Sequence, residues 1–171
     1  VVDGRQGSDT TPAKCSCYPK MVCLCCLEGE FMNNQSVKNP VAEINYWIDL
    51  ADKELNCFTA KDRVFQLFHS LYQAGMLKWY FLEDKKGIIV YCITDDFRGG
   101  LTVNELFMYI KPKWRGNIRL FKELVNHLEQ VAKEQQIKTV RIASNIGYSD
   151  SQVLKILQHW GYETDVVVKQ M

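Results

Sequence analysis

No apolar run in this chain of 171 residues approaches the ~20 residues that a membrane-spanning helix needs. The N-terminus also lacks the basic-then-apolar plan of a secretory signal, so a cytoplasmic setting and no membrane partner are the expectation. Charge of either sign is missing in excess: 21 Lys and Arg stand against 20 Asp and Glu, a net +1. That leaves no global field for nucleic acid or an anionic surface, and any basic site must be local. Cysteine gives no closed disulfide set, because seven is odd. Five of them, Cys15, Cys17, Cys23, Cys25 and Cys26, crowd one N-terminal stretch. Their Cys-x-Cys and Cys-x-Cys-Cys spacing is not the two-residue knuckle of zinc sites and no histidine lies near, so no metal is expected. Nothing repeats at a fixed interval.

What is present is 47% apolar and 24% charged residues, enough for one globular domain that buries a core without staples. Residues 1–31, rich in Gly, Ser, Thr, Pro and Cys without a sustained period, read as a flexible leader, and residues 32–171 as the domain. Asn39-Pro40 starts a helix carrying Val41, Ile44, Trp47, Ile48 and Ala51 at helical spacing. Thr59 with Asp62 is a variant capping arrangement for a second helix with the stripe Val64, Leu67, Phe68 and Leu71, stopped by Gly75. From Lys78 the period becomes two, with Trp79 and Phe81, then Ile88, Val90 and Cys92, then an extended run over 101–110. These make an antiparallel meander.

Beyond it lies the most informative stretch, Tyr109-Ile110-Lys111-Pro112-Lys113-Trp114-Arg115-Gly116-Asn117, which leads into an amphipathic helix over 118–134. The first turn of a helix carries partial positive charge and normally draws acids, yet Arg115, Arg119 and Lys122 crowd it. Cations there invite an anion, and a phosphate would bond the unpaired amides of that turn. The alternative is a solvated basic turn. A short strand over 138–143 beside the third strand, a helix announced by Ser149 and Gln152 that ends before Gly161, and a closing strand at Val166, Val167 and Val168 complete the chain.

This order resembles the GNAT superfamily of N-acyltransferases: an α/β (α+β) fold with a mixed, mostly antiparallel central sheet and helices on both faces. The residues that carry the resemblance are Ile110-Lys111-Pro112-Lys113-Trp114-Arg115-Gly116, similar to the family's strand exit and Arg-x-x-Gly-x-Gly/Ala loop. Asn145 through Gly161-Tyr162 is similar to its Asn-helix-Gly-Phe/Tyr signature, and the ending looks like that of short phage-borne members. The resemblance implies acetyl-coenzyme A as co-substrate, with its pyrophosphate on the amides of Gly116, Asn117, Ile118, Arg119 and Leu120. Arg115 and Arg119 would supply charge, backbone near Tyr109 and Ile110 would pair with the pantetheine arm, and Asn145 would lie along the path.

Transfer to an amine, whether of a small molecule or a protein, needs a general base, and Glu105 is the candidate, with a solvent-facing strand residue as its ordinary reading. Two departures stand out: residues 117–121 lack the family's further glycines, and Leu157 occupies the position of a tyrosine that protonates the leaving thiolate. His159 and Tyr148 are substitutes in sequence. Asp95 and Asp96 would suit a cationic acceptor. The competing readings are a GNAT-fold binding or structural protein without turnover, and nucleic-acid binding through Lys111, Lys113, Arg115 and Arg119. The last is weaker because no aromatic stacking platform accompanies the patch. Exposed edges of such a sheet often find partners, which would suit a homodimer.

Overall fold

A computed structural model describes residues 39–96, 99–142 and 150–163. The leader over 1–31, Asn145, Tyr148, the Ser149 cap and the closing strand at 166–168 lie outside the described residues. Helix α1, Pro40–Leu55, opens with Asn39 as N-cap, whose side chain accepts the Ala42 N–H at 3.1 Å. Helix α2, Lys61–Gln73, departs from expectation at its start. Ala60 is the N-cap with no side-chain bond, so the Thr59 and Asp62 pair does not cap it. Within its stripe Phe68 is buried, whereas Leu67 is half exposed, one position off the inward face.

Strands β1 (Leu77–Phe81), β2 (Gly87–Asp96) and β3 (Gly100–Ile110) form the antiparallel meander. Helix α3, Ile118–Glu134, follows, then β4, Thr139–Arg141, and helix α4, Asp150–His159. Among the described residues the sheet order is β1-β2-β3-β4, with β4 parallel to β3 as the crossover through α3 requires.

Each face of the sheet carries its own core. On one face Ile44, Trp47, Ile48 and Ala51 of α1 and Phe68 of α2 pack on Leu77, Ile88, Val90, Phe107 and Tyr109. On the other, Phe121, Leu124, Val125 and Leu128 of α3 with Val153 and Leu157 of α4 pack on Ile89, Tyr91, Val103, Met108 and Ile110. Fully burying an aliphatic side chain of this size contributes about 1.5–3 kcal/mol, so the two layers hold α1 and α3 firmly against opposite sides of β3. Trp160 and Tyr162, partly buried, pack against the second core.

One irregularity interrupts the meander. Val90 pairs with Phe107 but Tyr91 pairs with Glu105, so Leu106 is an extra residue, a β-bulge. Directly opposed residues share a face, and the bulge therefore turns Glu105 to the α3 side with Tyr91 while Phe107 and Tyr109 remain on the α1 side.

Candidate active site

The pairing of β3 changes along its length. Thr102, Val103 and Asn104 pair with Thr139, Val140 and Arg141 of β4, and side chains reinforce that end. The Asn104 amide donates to Thr94 Oγ1 at 2.8 Å, Arg141 Nη2 donates to Asp96 Oδ2 at 2.8 Å, and the Thr102 hydroxyl donates to the same oxygen at 3.5 Å. From 105 to 110, β3 runs on with no β4 partner among the described residues.

Which backbone groups face that open edge follows from one bond. The Lys111 N–H donates to Lys86 O at 3.0 Å, and in an antiparallel ladder the direction alternates. Phe107 and Tyr109 therefore turn their N–H and C=O toward β2, and Met108 and Ile110 turn theirs outward. Of the two residues named for the pantetheine arm, Tyr109 thus turns its backbone to β2 and Ile110 turns its own outward, as does Met108. A ligand that lies along the edge as an extra strand would satisfy these outward groups, which are costly to leave unpaired when buried.

The edge leads into the turn over 111–117. Pro112–Trp114 makes one 3₁₀ turn, with Trp114 N–H donating to Lys111 O at 2.8 Å and Arg115 N–H to Pro112 O at 3.1 Å. Gly116 has φ +90, a left-handed value that a side chain strains, and open space lies where a Cβ would point. Asn117 caps α3: its Oδ1 accepts the Arg119 N–H at 3.1 Å, and its carbonyl accepts Leu120 N–H at 3.1 Å and Phe121 N–H at 3.4 Å. Of the amides named for the pyrophosphate, those of Arg119 and Leu120 are thus already bonded, and the Asn117 N–H donates to Trp114 O at 3.3 Å. The Ile118 N–H has no bond to the described residues. Around it stand Arg119, exposed, and Lys122, which lies over the Trp160 ring at 5.4 Å.

Arg115 points elsewhere. Its guanidinium forks onto Glu54 of α1, with Nη1 to Oε1 and Nη2 to Oε2 at 3.0 Å, and Nη2 also donates to Ile110 O at 3.0 Å. It lies over the Tyr109 ring at 5.3 Å. The Tyr109 hydroxyl donates to Glu54 Oε2 at 2.5 Å. Burial, helped by this bond to an anion, pushes the phenol up to about 12, and Arg115 holds the Glu54 carboxyl below the usual carboxylate range. The charge expected of Arg115 at the helix start is neutralised on the α1 side, and Arg119 and Lys122 are left for an anion. The aromatic within the basic patch, Trp114, carries Lys86 and Lys113 over its ring, each at 5.3 Å. Those ammoniums occupy the ring's surroundings, so it is no open platform.

Glu105 is buried, 5% exposed, beside the bulge on the α3 face. The solvent-facing reading fails because both faces of the sheet are covered, and the bulge selects the α3 side for Glu105. A buried carboxylate at the start of an unpaired edge is a sound position for a base acting on a bound amine rather than on bulk solvent. Leu157 is buried in the second core and His159 is exposed at the end of α4. Asp96 is engaged by Arg141, which leaves the exposed Asp95 for a cationic acceptor. Phe58 to Arg63, between α1 and α2, line a shallow depression where Phe58 meets Phe107 at 6.3 Å between ring centroids. No cluster of His, Cys, Asp and Glu able to hold a metal occurs among the described residues, and no described helix is long and apolar enough to cross a membrane.

Solved structures share the overall fold of this one. The fold is that of the GNAT acetyltransferases. A Pyrococcus furiosus protein assigned as an acetyl transferase superposes with a TM-score of 0.61 at 19% identity, covering 77% of this chain and 92% of its own. A Clostridium acetobutylicum protein, assigned as an acetyltransferase and solved with acetyl-CoA, gives 0.57 at 16%, covering 77% and 91%. An aminoglycoside acetyltransferase from an uncultured soil metagenomic sample, in complex with sisomicin, gives 0.56 at 14%, covering 77% and 88%. No family model matches the chain, and no curated protein matches it in sequence.

Two residues of this geometry were not singled out from the sequence. Glu54 belongs to no motif, and its only signal was an acid in the last turn of a helix, where the dipole disfavours it. Met108 was hidden in a wholly apolar run that conceals which amides face outward.

Proposed function

We propose that this chain is an acyl-coenzyme A-dependent N-acyltransferase, acetyl being the expected group, acting on an amine of a small molecule or a protein. The open edge of β3 from 105 to 110, which leads directly into the start of α3, carries this reading. The pantetheine arm would bond the outward groups of Met108 and the Ile110 N–H. The pyrophosphate would lie over Gly116 and the Ile118 N–H, with Arg119 and Lys122 supplying charge. Asn145 stays in the proposal as a residue along the path. The amine nitrogen attacks the thioester carbonyl carbon, the C–N bond forms, the C–S bond breaks, Glu105 takes the amine proton and coenzyme A leaves as its thiolate. A backbone N–H at the bulge is suited to receive the oxyanion.

The Asn117 cap favours a second reading, a GNAT-fold binding protein without turnover, because it satisfies amides that a pyrophosphate would use. Calorimetric titration of acetyl-CoA into the full chain, with Arg119→Ala as control, tests the first reading. Micromolar binding that weakens in the variant supports it, and an acceptor screen then separates enzyme from binder. No binding at millimolar ligand overturns it.

A further inference from the structure

Glu54 is an acid in the last turn of α1, the end of a helix where negative charge is locally unfavourable. A residue kept against its local preference has a tertiary role, and its three bonds show what it joins. Two go to Arg115 in the turn before α3 and one comes from the hydroxyl of Tyr109 at the end of β3, residues 61 and 55 positions away in the chain. Arg115, so held, spends Nη2 on Ile110 O, the last outward carbonyl of the open edge. One carboxylate thus ties α1, the end of the edge and the turn over Gly116.

We propose that Glu54 is a positioning residue for the coenzyme: it fixes Arg115 against the Ile110 carbonyl and thereby sets the distance between the open edge of β3 and the start of α3. This rests on the acyl-coenzyme A reading. The bidentate fork fixes direction as well as distance, which a single-point lysine contact would not. A ligand that spans the edge and the helix start needs both ends in register, and misplacement of about 1 Å is enough to lose much of the binding geometry. Arg115 then acts as a corner brace rather than as the phosphate's own partner.

The test is a double-variant cycle on coenzyme A affinity, measured by calorimetry on the full chain well below its melting temperature, with Glu54→Ala, Arg115→Ala and the pair. Glu54→Gln keeps the shape and serves if the alanine variant folds poorly. The expected result is a Kd raised about tenfold in either single alanine variant and no further in the double variant, the coupling of two groups that act as one. A lowered melting temperature with unchanged Kd would make the tie structural only and overturn the proposal. Additive losses would also overturn it, because Arg115 would then meet the ligand independently of Glu54. Failure of the unaltered chain to bind coenzyme A would instead overturn the acyltransferase reading itself.

Discussion

The two halves of β3 differ in what their edge meets. At 102–104 the strand is paired on both sides and Asp96, Arg141, Thr94 and Asn104 link three strands, so nothing is left to offer a ligand. At 105–110 the same strand is paired on one side only among the described residues, and its outward groups sit between a buried carboxylate at one end and a helix start at the other. The bulge at Leu106 lies at the boundary. One strand thus serves as scaffold and as site, and side-chain identity matters less in the open half than backbone direction.

The largest effect should come from the carboxylate at that boundary. Glu105→Gln is expected to lower kcat by about 10²-fold or more while coenzyme affinity stays intact, read from steady-state kinetics beside calorimetry. Equal turnover would remove Glu105 from the chemistry. On the closed half, Asp96→Ala leaves the buried Thr102 hydroxyl and Arg141 without their shared acceptor and should cost about 1–3 kcal/mol in chemical denaturation. Faster hydrogen exchange at 139–141 should accompany it. If the loss instead appeared as altered coenzyme affinity, the division between the halves would be wrong.

Much of this was legible in the sequence. Helical stripes and period-two runs gave α1, α3 and the meander, because burial on one face writes itself into spacing. The open half was harder to read. Leu106-Phe107-Met108-Tyr109-Ile110 is apolar throughout, since both faces of the sheet are covered, and alternation that would mark a bulge is erased. Arg115 was read as a phosphate ligand because its partner, Glu54, comes from a helix far back in the chain. Asn117, read as a departure from a glycine, is a good N-cap for the same helix.

Smaller effects sharpen the comparison. Gly116→Ala puts a side chain at φ +90 and should destabilise the fold by about 1–2 kcal/mol, seen in the melting temperature. Away from the edge, His127 of α3 stacks on Tyr80 at 4.2 Å and meets the Tyr91 hydroxyl at 3.3 Å. Burial lowers it from 6.5 to about 4. The unfolded chain then binds more protons below pH 6.5, so stability falls as pH drops toward 4, by about 1 kcal/mol once solvent screening of a partly exposed ring is allowed for. His127→Phe should flatten that stretch of the stability profile. An unchanged slope would place the titrating group elsewhere.

The central claim is that the outward amides of β3 receive the ligand. Amide-resolved hydrogen exchange by NMR, with and without acetyl-CoA, tests it directly. The Met108 and Ile110 amides are expected to slow on addition, with Phe107 and Tyr109, which face β2, little changed. Unaltered exchange at Met108 and Ile110 under saturating ligand would contradict it.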